Sequence, residues 1–80
     1  MRLKLRDRLH AVRVARTLAG KSEEDTKVVL ESEGLKFGID PSLIILFLQI
    51  GLAIWRYMQD NKSVSHLSNS ALYDAALTED

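Results

Sequence analysis

The sequence predicts an all-α fold: two short amphipathic helices plus one long, largely apolar central helix, arranged as a helical hairpin or a three-helix assembly, with a flexible polar C-terminal tail. Three observations lead there. Apolar residues between Leu5 and Leu18 recur at helical spacing. Two helix starts are marked by capping residues, Ser22 and the pair Asp40-Pro41. Residues 43–55 form an apolar run interrupted only by Gln49.

Length and composition bound what such a chain can do. Eighty residues make one domain at most, and a chain this short leaves much of its apolar surface uncovered when it folds alone. The absence of cysteine excludes disulfide staples, thiolate catalysis and Cys-based zinc sites. Formal net charge is zero, yet the charges are segregated. Residues 1–22 carry seven Lys/Arg against Asp7 alone, and residues 23–40 carry six acids against Lys27 and Lys36. Such a chain can attract itself or align with a neighbouring copy.

The first piece, residues 1–20, opens with strand-like alternation at Arg2-Leu3-Lys4-Leu5-Arg6. From Leu5 onward the helical pattern fits better: Leu5, Leu9, Val12 and Leu18, with Ala11 and Ala15, share one side, which predicts a basic amphipathic helix from about residue 4 to 19. Residues 22–34 predict a short acidic helix. Ser22 and Asp25 form a capping box, Val28, Val29 and Leu30 supply its apolar side, and Gly34 is placed to end it in the left-handed conformation. Residues 35–40 then read as a linker whose Leu35, Phe37 and Ile39 are expected to pack.

Asp40 as N-cap and Pro41 at the first helical position begin the central helix, residues 41–60. The polar, serine-rich residues 61–80 allow one further turn of helix around residues 69–77 and are otherwise expected to be mobile.

The central helix decides the functional expectation. Its apolar run, residues 43–55, is shorter than the roughly twenty residues a membrane span needs, unless Asp40, Pro41, Ser42 and Arg56 sit near the interfaces. Trp55, Tyr57 and Arg56 would suit that level. At about 100° per residue, Ser42, Gln49, Ala53, Arg56 and Asp60 fall in one narrow polar wedge, with Gly51 on the opposite side where another backbone could come close. The rest of the surface is Leu, Ile, Phe, Trp and Met, so most of the circumference must be enclosed. Ser42, Leu46, Gln49, Ile50, Gly51, Ala53, Trp55 and Arg56 are the candidate interaction residues. Two thin helices are not expected to cover the whole, which points to self-association, docking into a larger assembly, or lipid.

Nothing in the sequence points to chemistry. His10 and His66 stand alone, the acids look like a solvated helix face, and there is no Gly-rich phosphate loop or nucleophile elbow. No catalytic, metal or cofactor site is expected. The basic segment, Arg2, Lys4, Arg6, Arg8, Arg13 and Arg16, permits contact with phosphates, an anionic lipid surface or a targeting role. It lacks interleaved aromatic residues, so nucleic acid is the weakest of these. The simplest alternative is a surface helix whose arginines pair with the acidic helix or with a partner. The expectation is a non-enzymatic structural or assembly protein that packs through its central helix, as an accessory subunit of a membrane complex or a minor component of a virus particle. The alternative is a small membrane-associated protein whose central helix inserts into lipid.

Overall fold

The computed structural model describes residues 3–77, and every regular element within them is helical. Helix α1 spans Leu5–Arg16 and α2 spans Glu23–Lys36. A single 3₁₀ turn, Pro41–Leu43, leads directly into α3, Ile44–Asp60. A 3₁₀ segment, Lys62–His66, connects to α4, Asn69–Leu77.

Local chemistry explains the starts. The Ser22 hydroxyl accepts from the Asp25 backbone N–H at 3.1 Å, and Glu23, Glu24 and Asp25 set negative charge at the positive end of α2. Only this half of the expected capping box forms. The Asp40 carboxylate accepts from the backbone N–H and the hydroxyl of Ser42, both at 2.9 Å, with Pro41 at the first helical position.

Helix α3 lies at the centre and packs against the other three. Helix α1 runs parallel to it: His10 is level with Phe47, and Leu18 is level with Trp55. Helix α2 runs antiparallel to α3, so that Gly34 meets Phe47, Leu30 meets Gly51 and Glu23 meets Arg56. Helix α4 returns antiparallel to α1, with Tyr73 beside Arg8 and Leu67 beside Arg16. The core holds Val12, Leu30, Phe47, Ile54 and Leu72, all fully buried. Each such side chain contributes about 1.5–3 kcal/mol of transfer free energy. Thr26 is fully buried as well, its hydroxyl satisfied by the Ser22 carbonyl at 2.8 Å.

Several boundaries and faces differ from the sequence expectation. Helix α1 stops at Arg16, and its inward arc includes Val14 and excludes Leu5, which is 59% exposed. The arc is wide because α1 is packed by both α3 and α4. Helix α2 passes through Gly34 to Lys36, and Gly38, at φ +92°, takes the left-handed conformation instead. Gly34 lies inside the helix, where a β-carbon would stand 2.6 Å from Ile44 Cδ1 and 2.9 Å from the Phe47 ring; the missing side chain is what lets α3 approach. Of the three linker residues only Ile39 is buried, while Leu35 is half exposed. On α2, Leu30 carries the burial and Val28 is 65% exposed.

The tail expected to be mobile folds back as α4 and drives Leu72 into the core. Residues 78–80 of that tail lie outside the described residues.

Candidate interaction surface

The residues singled out on the central helix separate into two sets. Gly51 and Trp55 are buried and belong to the core. Gly51 is where the closest approach was expected, and the side chain seated on it is Leu30. Trp55 reaches under the α1–α2 connection, where its indole N–H donates to the Leu18 carbonyl at 2.9 Å in a buried setting. Leu46 and Ile50 are half buried and pack against the core.

Ser42, Gln49 and Arg56 are exposed, and Ala53 is half buried beside them. The polar wedge therefore faces outward. Between its members stand Ile45, which is 58% exposed, and the half-buried Leu52. Ser42, Ile45, Gln49, Leu52 and Arg56 are spaced three, four, three and four residues apart, the spacing of one coiled-coil seam. Sequence reasoning missed Ile45 and Leu52 because it sorted the helix by polarity; the alternating three-and-four spacing was the available signal. Leu35, half exposed, follows Gly34 on α2 just as Ile45 follows Ile44 on α3, and Gly34 and Ile44 are in contact. The two exposed apolar side chains thus lie at one level of the α2–α3 hairpin.

The seam is charged at both ends, with Asp40 at one and Arg56, Glu23 and Asp60 at the other. At one end the Asp40 carboxyl is held below its ordinary range, chiefly by the Ser42 backbone N–H and then by the Ser42 hydroxyl. At the other, Arg56 donates through Nε and Nη2 to the two Glu23 oxygens, at 3.4 and 2.8 Å. That hydrogen bonding depresses the Glu23 carboxyl and raises Arg56. It is α3, not the basic first helix, that pairs with the acidic one.

The basic segment does not form a free cationic face. Arg16 donates through Nη1 to the Ser65 carbonyl at 3.0 Å and through Nη2 to the Leu67 carbonyl. Arg8 donates to the Tyr73 hydroxyl at 3.4 Å and lies over its ring. Arg6 sits above the Phe37 ring and beside Asp7 at 3.6 Å. Lys4 and Arg13 are exposed; Arg2 lies outside the described residues. Two of the arginines are thus spent on holding the C-terminal segment against α1.

A shallow groove of about 360 Å³ separates α1 from α2, lined by His10, Arg13, Val14, Thr17, Val29 and Glu33. His10 stacks on Phe37 with ring centroids 3.9 Å apart, and its Nδ1 is enclosed without a hydrogen-bond partner. Burial, then the nearby Arg13 charge, lowers its pKa, against the weaker opposite pull of Glu33 and Asp7. A stacked, neutral ring of this kind is a packing element. Among the described residues no three His, Cys, Asp or Glu side chains are grouped to hold a metal ion. No protein-family model, no curated protein and no solved structure matches the chain.

Proposed function

We propose that this chain is a non-enzymatic structural or assembly protein that docks into an oligomer or larger complex through the outer seam of α3. The observation that supports this most is the asymmetry of α3. One side is closed by three helices, while the opposite side presents Ile45 and Leu52 in line with Ser42, Gln49 and Arg56. A polar-rimmed apolar strip on a rigid central helix suits protein contact, and the site offers no grouped acid, base and nucleophile for chemistry. An accessory subunit of a membrane complex and a minor component of a virus particle are both roles such a strip would serve.

One observation favours a second reading, membrane association through α3. Pro41–Asp60 is long and apolar enough to cross a membrane by length and composition. Against it, the helix is the centre of a packed helical body, and insertion would have to undo contacts with α1, α2 and α4.

Cell fractionation followed by alkaline carbonate extraction of the pellet separates the two. Recovery in the soluble fraction in a defined assembly is the expected result. Retention in the carbonate-washed pellet, with release only by detergent, would replace the assembly reading by the membrane one.

A further inference from the structure

We infer that the His10–Phe37 stack is an acid-sensitive clasp between α1 and the end of α2: uptake of a proton by His10 frees the last turn of α2 from α1, while the rest of α2 stays closed on α3. The clasp works whatever docks on the outer seam of α3.

The stack joins the two helices beside the groove lined by Arg13, Val14, Val29 and Glu33. A neutral imidazole suits that place. It lies nearly flat on Phe37, at an interplanar angle of 12°, with the Phe47 ring of α3 at 6.0 Å. An imidazolium does not suit it, because it donates from both ring nitrogens and Nδ1 is enclosed with no acceptor. It would also add positive charge where cations already gather. The Arg6 guanidinium, four residues earlier on α1, is 5.2 Å from the centre of the same Phe37 ring, and Arg13 stands three residues later. The two carboxylates that act on the imidazole are each engaged with a cation, Asp7 with Arg6 at 3.6 Å and Glu33 with Lys36 at 3.8 Å. Burial and Arg13 accordingly outweigh Glu33 and Asp7, so the closed form takes up the proton less readily than a free imidazole.

Leu30 on Gly51 and Gly34 against Ile44 hold α2 to α3 without His10. What opens is the end of α2, where the backbone N–H groups of Phe37, Gly38 and Ile39 donate to the carbonyls of Glu33, Leu35 and Gly34. An opening that takes up one proton grows by up to about tenfold per pH unit as the pH falls from the ordinary imidazole value of 6.5 toward the lowered value of the closed form.

Amide hydrogen exchange of the full chain in low, non-denaturing urea tests this. At pH 5, exchange at Phe37, Gly38 and Ile39 is expected to be nearly independent of urea, the mark of a local opening that exposes little surface. Leu30 and Gly51 are expected to exchange with the steep urea dependence of global unfolding. Raising the pH to 7 should increase protection at Phe37, Gly38 and Ile39 by up to about tenfold per pH unit. Arg13→Gln, at an exposed position, should shrink that pH response, Glu33→Gln should enlarge it, and His10→Phe should abolish it.

The clasp would be overturned by protection at Phe37, Gly38 and Ile39 that is the same at both pH values, or by a urea dependence there equal to that of Leu30. Identical pH responses in Arg13→Gln and Glu33→Gln would overturn it as well, and that comparison decides the matter even where His10→Phe does not fold.

Discussion

Leu30 is seated on Gly51: a β-carbon on that glycine would stand 2.6 Å from Leu30 Cδ2 and 2.8 Å from Cδ1. Leu30 is fully buried and has nowhere to swing. Gly51→Ala gains about 1 kcal/mol of helix propensity but overpacks the contact, which costs about 1–3 kcal/mol. The expected outcome in urea titration is a net loss of about 1 kcal/mol, against the gain a solvent-facing glycine would give. Leu30→Ala alone should cost about 2–5 kcal/mol. Combined with Gly51→Ala it should cost less than the sum, because the added methyl fills part of the cavity.

Trp55 provides a second test. Trp55→Phe keeps an aromatic ring but removes one of the two donors to the Leu18 carbonyl, which still accepts from the Lys21 backbone N–H at 3.1 Å. Because that carbonyl keeps a partner, the loss is that of one hydrogen bond, about 0.5–1.5 kcal/mol. Chemical unfolding followed by circular dichroism should show that loss with the helical signal of the folded state intact.

Arg16 holds the C-terminal segment by donating to two carbonyls from two different nitrogens. A lysine presents one compact charge and cannot reproduce that fork. Arg16→Lys should therefore weaken the docking of α4 by about 1.5–3 kcal/mol. Amide hydrogen exchange at residues 69–77 should speed up by roughly ten- to a hundredfold, while the amides of α2 keep the exchange rates of the parent chain.

His10 gives a pH dependence with a definite sign. Its folded pKa lies below the ordinary value, so the unfolded chain takes up the proton first as the solution is acidified. The stability contributed by the neutral ring is complete above the ordinary imidazole value of 6.5 and falls as the pH drops through the lowered folded value. Urea midpoints should decline from pH 7 toward pH 5, and His10→Phe, which preserves the stacking on Phe37, should flatten that decline. An equal slope in the variant would assign the effect to other groups.

Much of the helical layout could be read from the chain, because the signals were local. Ser22 and Asp40-Pro41 mark where α2 and α3 begin, since a capping side chain acts within three residues. The polar wedge of α3 and the close approach at Gly51 followed from spacing alone. The end of α2 did not. Gly34 and Gly38 offer the same local signal, and what distinguishes them is distant in the chain: Gly34 is packed against Ile44 and Phe47, ten and thirteen residues on, while Gly38 takes the positive φ.

Helix α4 illustrates the same limit more strongly. Nine residues do not sustain a helix in water by propensity. Its order comes from burying Leu72 and from Arg8 and Arg16, side chains in the first helix whose sequence context suggested a charged surface. Long arginines with apolar stems can serve either purpose. On the outer seam, Ser42, Gln49 and Arg56 were identified in advance, but Ile45 was not singled out, since exposure of one isoleucine among many depends on where three other helices happen to lie.

The antiparallel docking of α2 on α3 also has a kinetic consequence. Gly34 and Phe47 are thirteen residues apart in the chain, whereas the Trp55–Leu18 bond spans 37 and the Arg16–Leu67 bond spans 51. Closure entropy grows with span, so the α2–α3 hairpin is the natural nucleus, joined next by α1 and last by α4. Mutations at Leu30 or Gly51 should then slow refolding, while those at Arg16 should chiefly hasten unfolding.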